Sequence, residues 1–156
     1  MDFAIRQGVI ADEEWLYKLY STTMRAYIEQ TWGWDEEFQR NGFQTNLHPT
    51  KFKIVIVSGA DVGAYLVNEE DSHYWLEMLL VSSEMQGKGL GTSIVNKIQA
   101  ETEKVGKPIK LSVLKVNPAK EFYSCLGFCV FDQDESFFKM EWAYNKPIQP
   151  TQNTRD

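Results

Sequence analysis

The stretch Gln86-Gly87-Lys88-Gly89-Leu90-Gly91 lies between the most apolar run of the chain, Tyr74 to Val81, and a segment where Ile94, Val95, Ile98 and Val105 recur at helical spacing. A glycine-rich turn that opens a helix can hold an anion. The first backbone NH groups have no helical acceptor, the helix dipole favours negative charge there, and glycine lets the backbone approach an oxyanion without a Cβ in the way. The spacing fits neither of two familiar phosphate loops. In a dinucleotide fingerprint the third glycine comes one place later and an acid ends the next strand, whereas here that strand ends Leu114-Lys115-Val116-Asn117. Gly87-Lys88-Gly89 also lacks the spacing of a P-loop. Charge adds a second sign of an anion. Gln86 to Lys120 holds seven lysines against Glu101 and Glu103, a local +5, which leaves −11 on the rest of a chain of net charge −6. An anionic ligand would account for that asymmetry, and so would a solvated lysine-rich helix face.

Glu77 interrupts the apolar run and, by strand alternation, shares a face with Leu79 and Val81. An unpaired buried carboxylate is costly, so Glu77 is either a working base or half of a structural pair. Glu29-Gln30-Thr31-Trp32-Gly33-Trp34-Asp35-Glu36-Glu37 carries four acids, no base and two tryptophans. It suits an aromatic, acidic mouth for a cationic amine, and equally an acidic helix N-terminus that packs its indoles. His48 and His73 are isolated, so no metal site is expected, and Cys125 and Cys129 read as small core residues.

These residues need elements to position them. Phe3 and Ile5 alternate as a first strand, Asp12 is the expected N-cap of a helix to about Ile28, and Asp35 caps a second helix to about Gln44. Phe52 to Ser58 and Val62 to Asn68 form a hairpin around Gly59-Ala60-Asp61, and Tyr74 to Val81 is the central strand. After the glycine loop and its helix come a strand over Ile109 to Leu114, a short helix over Ala119 to Cys125, and strands over Phe128 to Phe131 and Phe137 to Trp142. The order predicts a mixed α/β sheet with one strand–helix–strand crossover. A single domain over 1–142 and a polar tail over 143–156 are expected.

Composition narrows the class. With 43% apolar and 24% charged residues the 156-residue chain is globular rather than disordered. A net charge of −6 argues against nucleic acid, and no apolar run is long enough to span a bilayer. Two cysteines and an N-terminus without a signal-like pattern give the expectation of a cytoplasmic protein.

Two blocks together carry a family resemblance. Gln86 to Gly91 resembles the Q/R-x-x-G-x-G/A signature of the GCN5-related N-acetyltransferase (GNAT) superfamily, and Asn117-Pro118-Ala119-Lys120-Glu121-Phe122-Tyr123-Ser124-Cys125-Leu126-Gly127-Phe128 resembles its N-P-A-x-x-x-Y-x-x-x-G-F segment. The stretch Glu29 to Glu37 is similar to a segment of an uncharacterised bacterial branch, which names no substrate. The resemblance implies a mixed, mostly antiparallel sheet flanked by helices, acetyl-CoA as co-substrate, and direct transfer to a small-molecule or peptide amine by a monomer or homodimer. It implies that Leu79, Leu80 and Val81 pair with the pantetheine and that Gln86, Gly87, Lys88, Gly89, Leu90, Gly91 and Thr92 form the pyrophosphate site. It further places Asn117 and Lys120 beside the cofactor, Tyr123 as the acid for the departing thiolate, and Glu77 as the base. Trp32, Trp34, Asp35 and Glu36 fall in the acceptor region. Other branches carry a glutamate where this chain has Ser112, which leaves a non-catalytic acyl-CoA-binding module as the rival reading.

Overall fold

A computed structural model describes residues 1–144, so the expected tail lies largely outside the described residues. The elements are β1 (Ala4–Gln7), α1 (Glu13–Trp32), α2 (Glu36–Asn46), β2 (Lys53–Val57), β3 (Ala60–Glu69), β4 (Tyr74–Val81), α3 (Leu90–Val105), β5 (Ile109–Leu114), α4 (Ala119–Cys125), β6 (Cys129–Gln133) and β7 (Phe137–Trp142). The strands form one sheet in the order β1-β2-β3-β4-β5-β7-β6. All pairings are antiparallel except β4 with β5, the pair joined through α3. β4 is therefore central, as its apolar sequence requires.

Alternating side chains feed two cores. Val55, Tyr65, Leu111, Val113 and Met140 pack with Ile94, Val95 and Ile98 of α3 on one face. Ile54, Ala64, Leu66 and Leu80 pack with Leu16, Leu19 and Phe43 of α1 and α2 on the other.

Several local expectations are corrected. The β2–β3 turn is Ser58-Gly59, with φ of 51° and 80°, the left-handed pair that a two-residue hairpin needs. Asp12 stands at the N-cap position of α1 as expected, but its side chain makes no cap bond. Instead, Arg6 donates to both of its oxygens at 2.9 Å, Val9 NH donates at 2.8 Å, and this pairing holds the Asp12 carboxyl below its usual range. α1 continues past Ile28 to Trp32 because no breaker precedes Gly33. Cys125 and Cys129 are exposed rather than core residues.

The sheet is irregular at its centre. Leu66 pairs with Met78 but Val67 pairs with Leu76, so Glu77 is the extra residue of a β-bulge. The bulge breaks strict alternation: Leu76 belongs to the α3 face, whereas Met78 and Leu80 pack toward α1. β4 and β5 pair only at Tyr74–Ile109 and Trp75–Lys110, after which they part.

Burial drives the Tyr65 phenol up to about 12 and raises Tyr123 as well. An unfolded chain releases these protons near pH 10, before the folded one does, so stability should be intact below pH 10 and fall above it. Urea midpoints at pH 8, 10, 11 and 12 should show that fall, and Tyr65→Phe should flatten it.

Candidate active site

The glycine loop begins where β4 ends. Gln86 Nε2 donates to the Val81 carbonyl at 2.9 Å, so this side chain ties the loop to the strand. Gly87 and Gly89 follow in the left-handed region, at φ of 76° and 87°, with open space where a Cβ would stand. No side chain caps α3, and its first backbone bond runs from Ser93 NH to the Gly89 carbonyl. The NH groups of Leu90, Gly91 and Thr92 thus have no helical acceptor, and no acid occupies the first turn. The third glycine has a packing role: a Cβ on Gly91 would stand 3.2 Å from the Phe122 ring of α4.

The loop borders a cavity of about 750 Å³ lined by Leu79, Val81, Gln86, Gly87, Gly89, Gly91, Thr92, Asn117 and Tyr123. Leu90 is fully buried, so its side chain is structural. Leu80 is buried toward α1, and any ligand contact from it uses its backbone. Lys88 is exposed in the loop. Lys120 Nζ lies 5.1 Å from the centroid of the Phe138 ring and 3.9 Å from Glu121. The lysine excess is largely committed elsewhere, since Lys97 pairs with Glu101, Lys107 with Glu69, and Lys110 and Lys115 lie over aromatic rings. The donors left free at the loop are therefore chiefly backbone NH groups. Thr22, Thr23, Met24, Ala26 and Tyr27 of α1 also line the cavity; the sequence analysis placed them in the first helix and gave them no role.

Where β4 and β5 part, a second cavity of about 270 Å³ opens. It shares Leu79, Asn117 and Tyr123 with the first. Tyr123 is buried, its ring set edge-on to Phe122 and Phe128 at 5.1 and 5.5 Å. Its hydroxyl makes no hydrogen bond among the described residues, and burial raises its pKa, so the phenol stays protonated at neutral pH. Asn117 Oδ1 accepts from Ala119 NH at 2.9 Å, which leaves the amide nitrogen as the available donor. Glu77 lines the second cavity, where Asn68 Nδ2 donates to its Oε1 at 2.6 Å. Glu77 therefore does not share the face of Leu79 and Val81, which pack toward α3: the bulge turns it to the α1 side, where it meets Asn68, and Val81 borders only the first cavity.

The acceptor candidates are not gathered in one place. Trp32 lines the second cavity and also an open groove of about 650 Å³ with Trp34, Asp35 and Phe38. Asp35 caps α2, its Oδ1 accepting from Phe38 NH at 3.0 Å. Glu36 lies outside both spaces: Tyr17 donates to it at 2.7 Å and Trp34 at 3.0 Å, and these bonds hold its carboxyl below the usual range. Among the described residues no three His, Cys, Asp or Glu gather to hold a metal, and no helix is long and apolar enough to cross a membrane.

A family model described as "Acetyltransferase (GNAT) domain" matches residues 25–142. Among solved structures, the chain is similar to the PaiA N-acetyltransferase from Thermoplasma acidophilum in complex with coenzyme A, at 21% identity over 92% of this chain and 100% of that one, with a TM-score of 0.75. It is similar to an acetyltransferase from Thermus thermophilus at 19% identity, 92% and 98% coverage and a TM-score of 0.72. Naa50 of Arabidopsis thaliana, in complex with the bisubstrate analogue CoA-Ac-MVNAL, aligns at 14% identity over 92% of this chain and 100% of that one, with a TM-score of 0.65. No curated protein matches the chain.

The left-handed φ at Gly89 makes valine an impure probe there, since backbone strain would accompany added bulk. Asparagine tolerates that conformation, so Gly89→Asn should keep the thermal midpoint close to wild type while weakening coenzyme A binding at least tenfold by calorimetry.

Proposed function

The chain belongs to the acetyltransferase (GNAT) domain family, and on that premise we propose that this acyltransferase moves the acetyl group of acetyl-CoA directly to a primary amine in a ternary complex. The observation that carries the reading is the position of Tyr123, on the wall common to both cavities, with Glu77 in the second.

Acetyl-CoA supplies an acyl group activated as a thioester. The backbone NH groups from Gly87 to Thr92 hold its pyrophosphate, with Lys88 and Lys120 as electrostatic neighbours. The free edge of β4 at Leu79, Leu80 and Val81 offers the pantetheine amides a strand to pair with, and Asn117 donates through its amide nitrogen. Attack requires a neutral amine. For a lysine-like amine, losing the proton at pH 7 costs roughly 4.6 kcal/mol, so a base is worth having. Glu77 holds one oxygen on Asn68 and keeps the other to take that proton, directly or through one water. As the amine nitrogen bonds to the carbonyl carbon and the carbon–sulfur bond breaks, Tyr123 gives its proton to sulfur. The thiol so formed has a pKa of about 8.5; the nitrogen sheds its second proton as it becomes an amide, which restores the Tyr123 phenol through solvent, and the first proton leaves Glu77 for bulk water.

A thiol-release assay with an amine panel tests the reading. Tyr123→Phe keeps the ring and should lower kcat about 10²-fold with little change in KM for acetyl-CoA. Glu77→Gln keeps an acceptor for Asn68 but loses the base. Its rate deficit should be largest at neutral pH and shrink as pH approaches the pKa of the amine, where the amine is already neutral.

A further inference from the structure

The second cavity is built to take one positive charge. Its inner wall is a stripe of α1 that includes Met24 and Ile28, and on the β5 and β7 side stand Ser112, Leu114 and Phe137, whereas Leu111 and Val113 turn their side chains to the α3 core. Among the described residues, Glu77 is the one charged side chain in the lining. Tyr20, also of the stripe, has its hydroxyl committed to Gln39 Oε1 at 2.9 Å. The acids of the Glu29 to Glu37 stretch do not reach inside: Asp35 borders the outer groove and caps α2, and Glu36 is held by Tyr17 and Trp34. Trp32 stands at the passage between cavity and groove, 59% exposed, with its ring 5.7 Å from that of Phe137.

From this geometry we propose that the acceptor is a primary amine on an uncharged, apolar body, carrying no second charge within the depth of the cavity. The inference rests on the acetyl-transfer reading. One ammonium meets Glu77. A second inside the same space would be desolvated against Met24, Ile28, Leu114 and Phe137 with no counter-charge, whereas methylene or aryl carbon there is removed from water at a gain. The volume of about 270 Å³ corresponds to roughly nine waters, enough for a pentyl or phenylethyl body. The same chemistry is offered by a free alkylamine and by a peptide whose first side chain is apolar, with the rest of the peptide leaving past Trp32 along the groove.

Pentylamine and 1,4-diaminobutane make the deciding pair, because they have the same number of heavy atoms and differ only in a terminal methyl against a terminal ammonium. Thiol release at saturating acetyl-CoA should give pentylamine a kcat/KM at least tenfold above the diamine. Short peptides beginning with Leu should exceed those beginning with Lys by a similar factor, and whether pentylamine or the Leu peptide is the better substrate identifies the source. Ser112 lines the cavity from β5, so Ser112→Asp places a second carboxylate there and should narrow the pentylamine-to-diamine ratio. Amine affinity is measured in parallel by calorimetry on the wild-type protein saturated with coenzyme A. A diamine bound or turned over as well as pentylamine overturns the proposal, as does a Lys peptide equal to the Leu peptide. If pentylamine binds the coenzyme A complex more tightly than the diamine yet no amine releases thiol, the acetyl-transfer reading fails and the cavity preference stands.

Discussion

Backbone polar groups must find partners, and the centre of this sheet withholds them. β4 and β5 share only two residue pairs before they part, so the β5-facing edge of β4 beyond Trp75 and the opposed edge of β5 are left without strand neighbours. A ladder closed at this point would leave no second cavity and no free strand edge beside the glycine loop. The bulge at Glu77 sits on the diverging stretch, where it adds local twist and turns a carboxylate toward the gap. α1 crosses the opening with Tyr20, Met24, Ile28 and Trp32, at every fourth residue, as its lining. The rest of the fold holds this gap at a fixed width. Helices bury both faces of the sheet, and β7 enters between β5 and β6 to secure the far side of β5.

Much of the scaffold was legible because local rules set it. Tyr74–Val81, Ile109–Leu114, Ala119–Cys125 and Phe137–Trp142 are bounded by turn residues or a change of hydrophobic period, and they appear over the ranges the sequence predicts. Where a distant partner decides, the sequence reading went astray. Asp12 had a helix start to cap, but Arg6 and the Val9 NH claim its carboxylate. The bulge at Glu77 depends on how β3 pairs with β4, which alternation within β4 cannot reveal. The insertion of β7 beside β5 is likewise a long-range pairing.

The two halves of the site differ in the same way. The anion cradle is one continuous segment whose chemistry lies in its backbone, so spacing alone exposes it. The second cavity, proposed above to take the acceptor, is assembled from α1, β4, β5 and β7, and no single segment carries its pattern. Of the four residues that the sequence places in the acceptor region, Trp32 alone lines that cavity. Acids that are neighbours in sequence diverge in space because Asp35 and Glu36 open a helix and are drawn into its capping and its contacts with α1.

α1 has one more property, arising from how it is shared. Thr23 and Tyr27 border the loop cavity, Ile28 and Trp32 border the splay cavity, and Met24 borders both. The helix is thus a party wall: any tilt or slide that one ligand favours reshapes the room of the other. Thermodynamic linkage makes any such effect mutual, so that whatever factor a ligand in the loop cavity adds to affinity in the splay cavity, a ligand in the splay cavity returns. On the proposed function, one helix thereby couples the acyl donor to the acceptor.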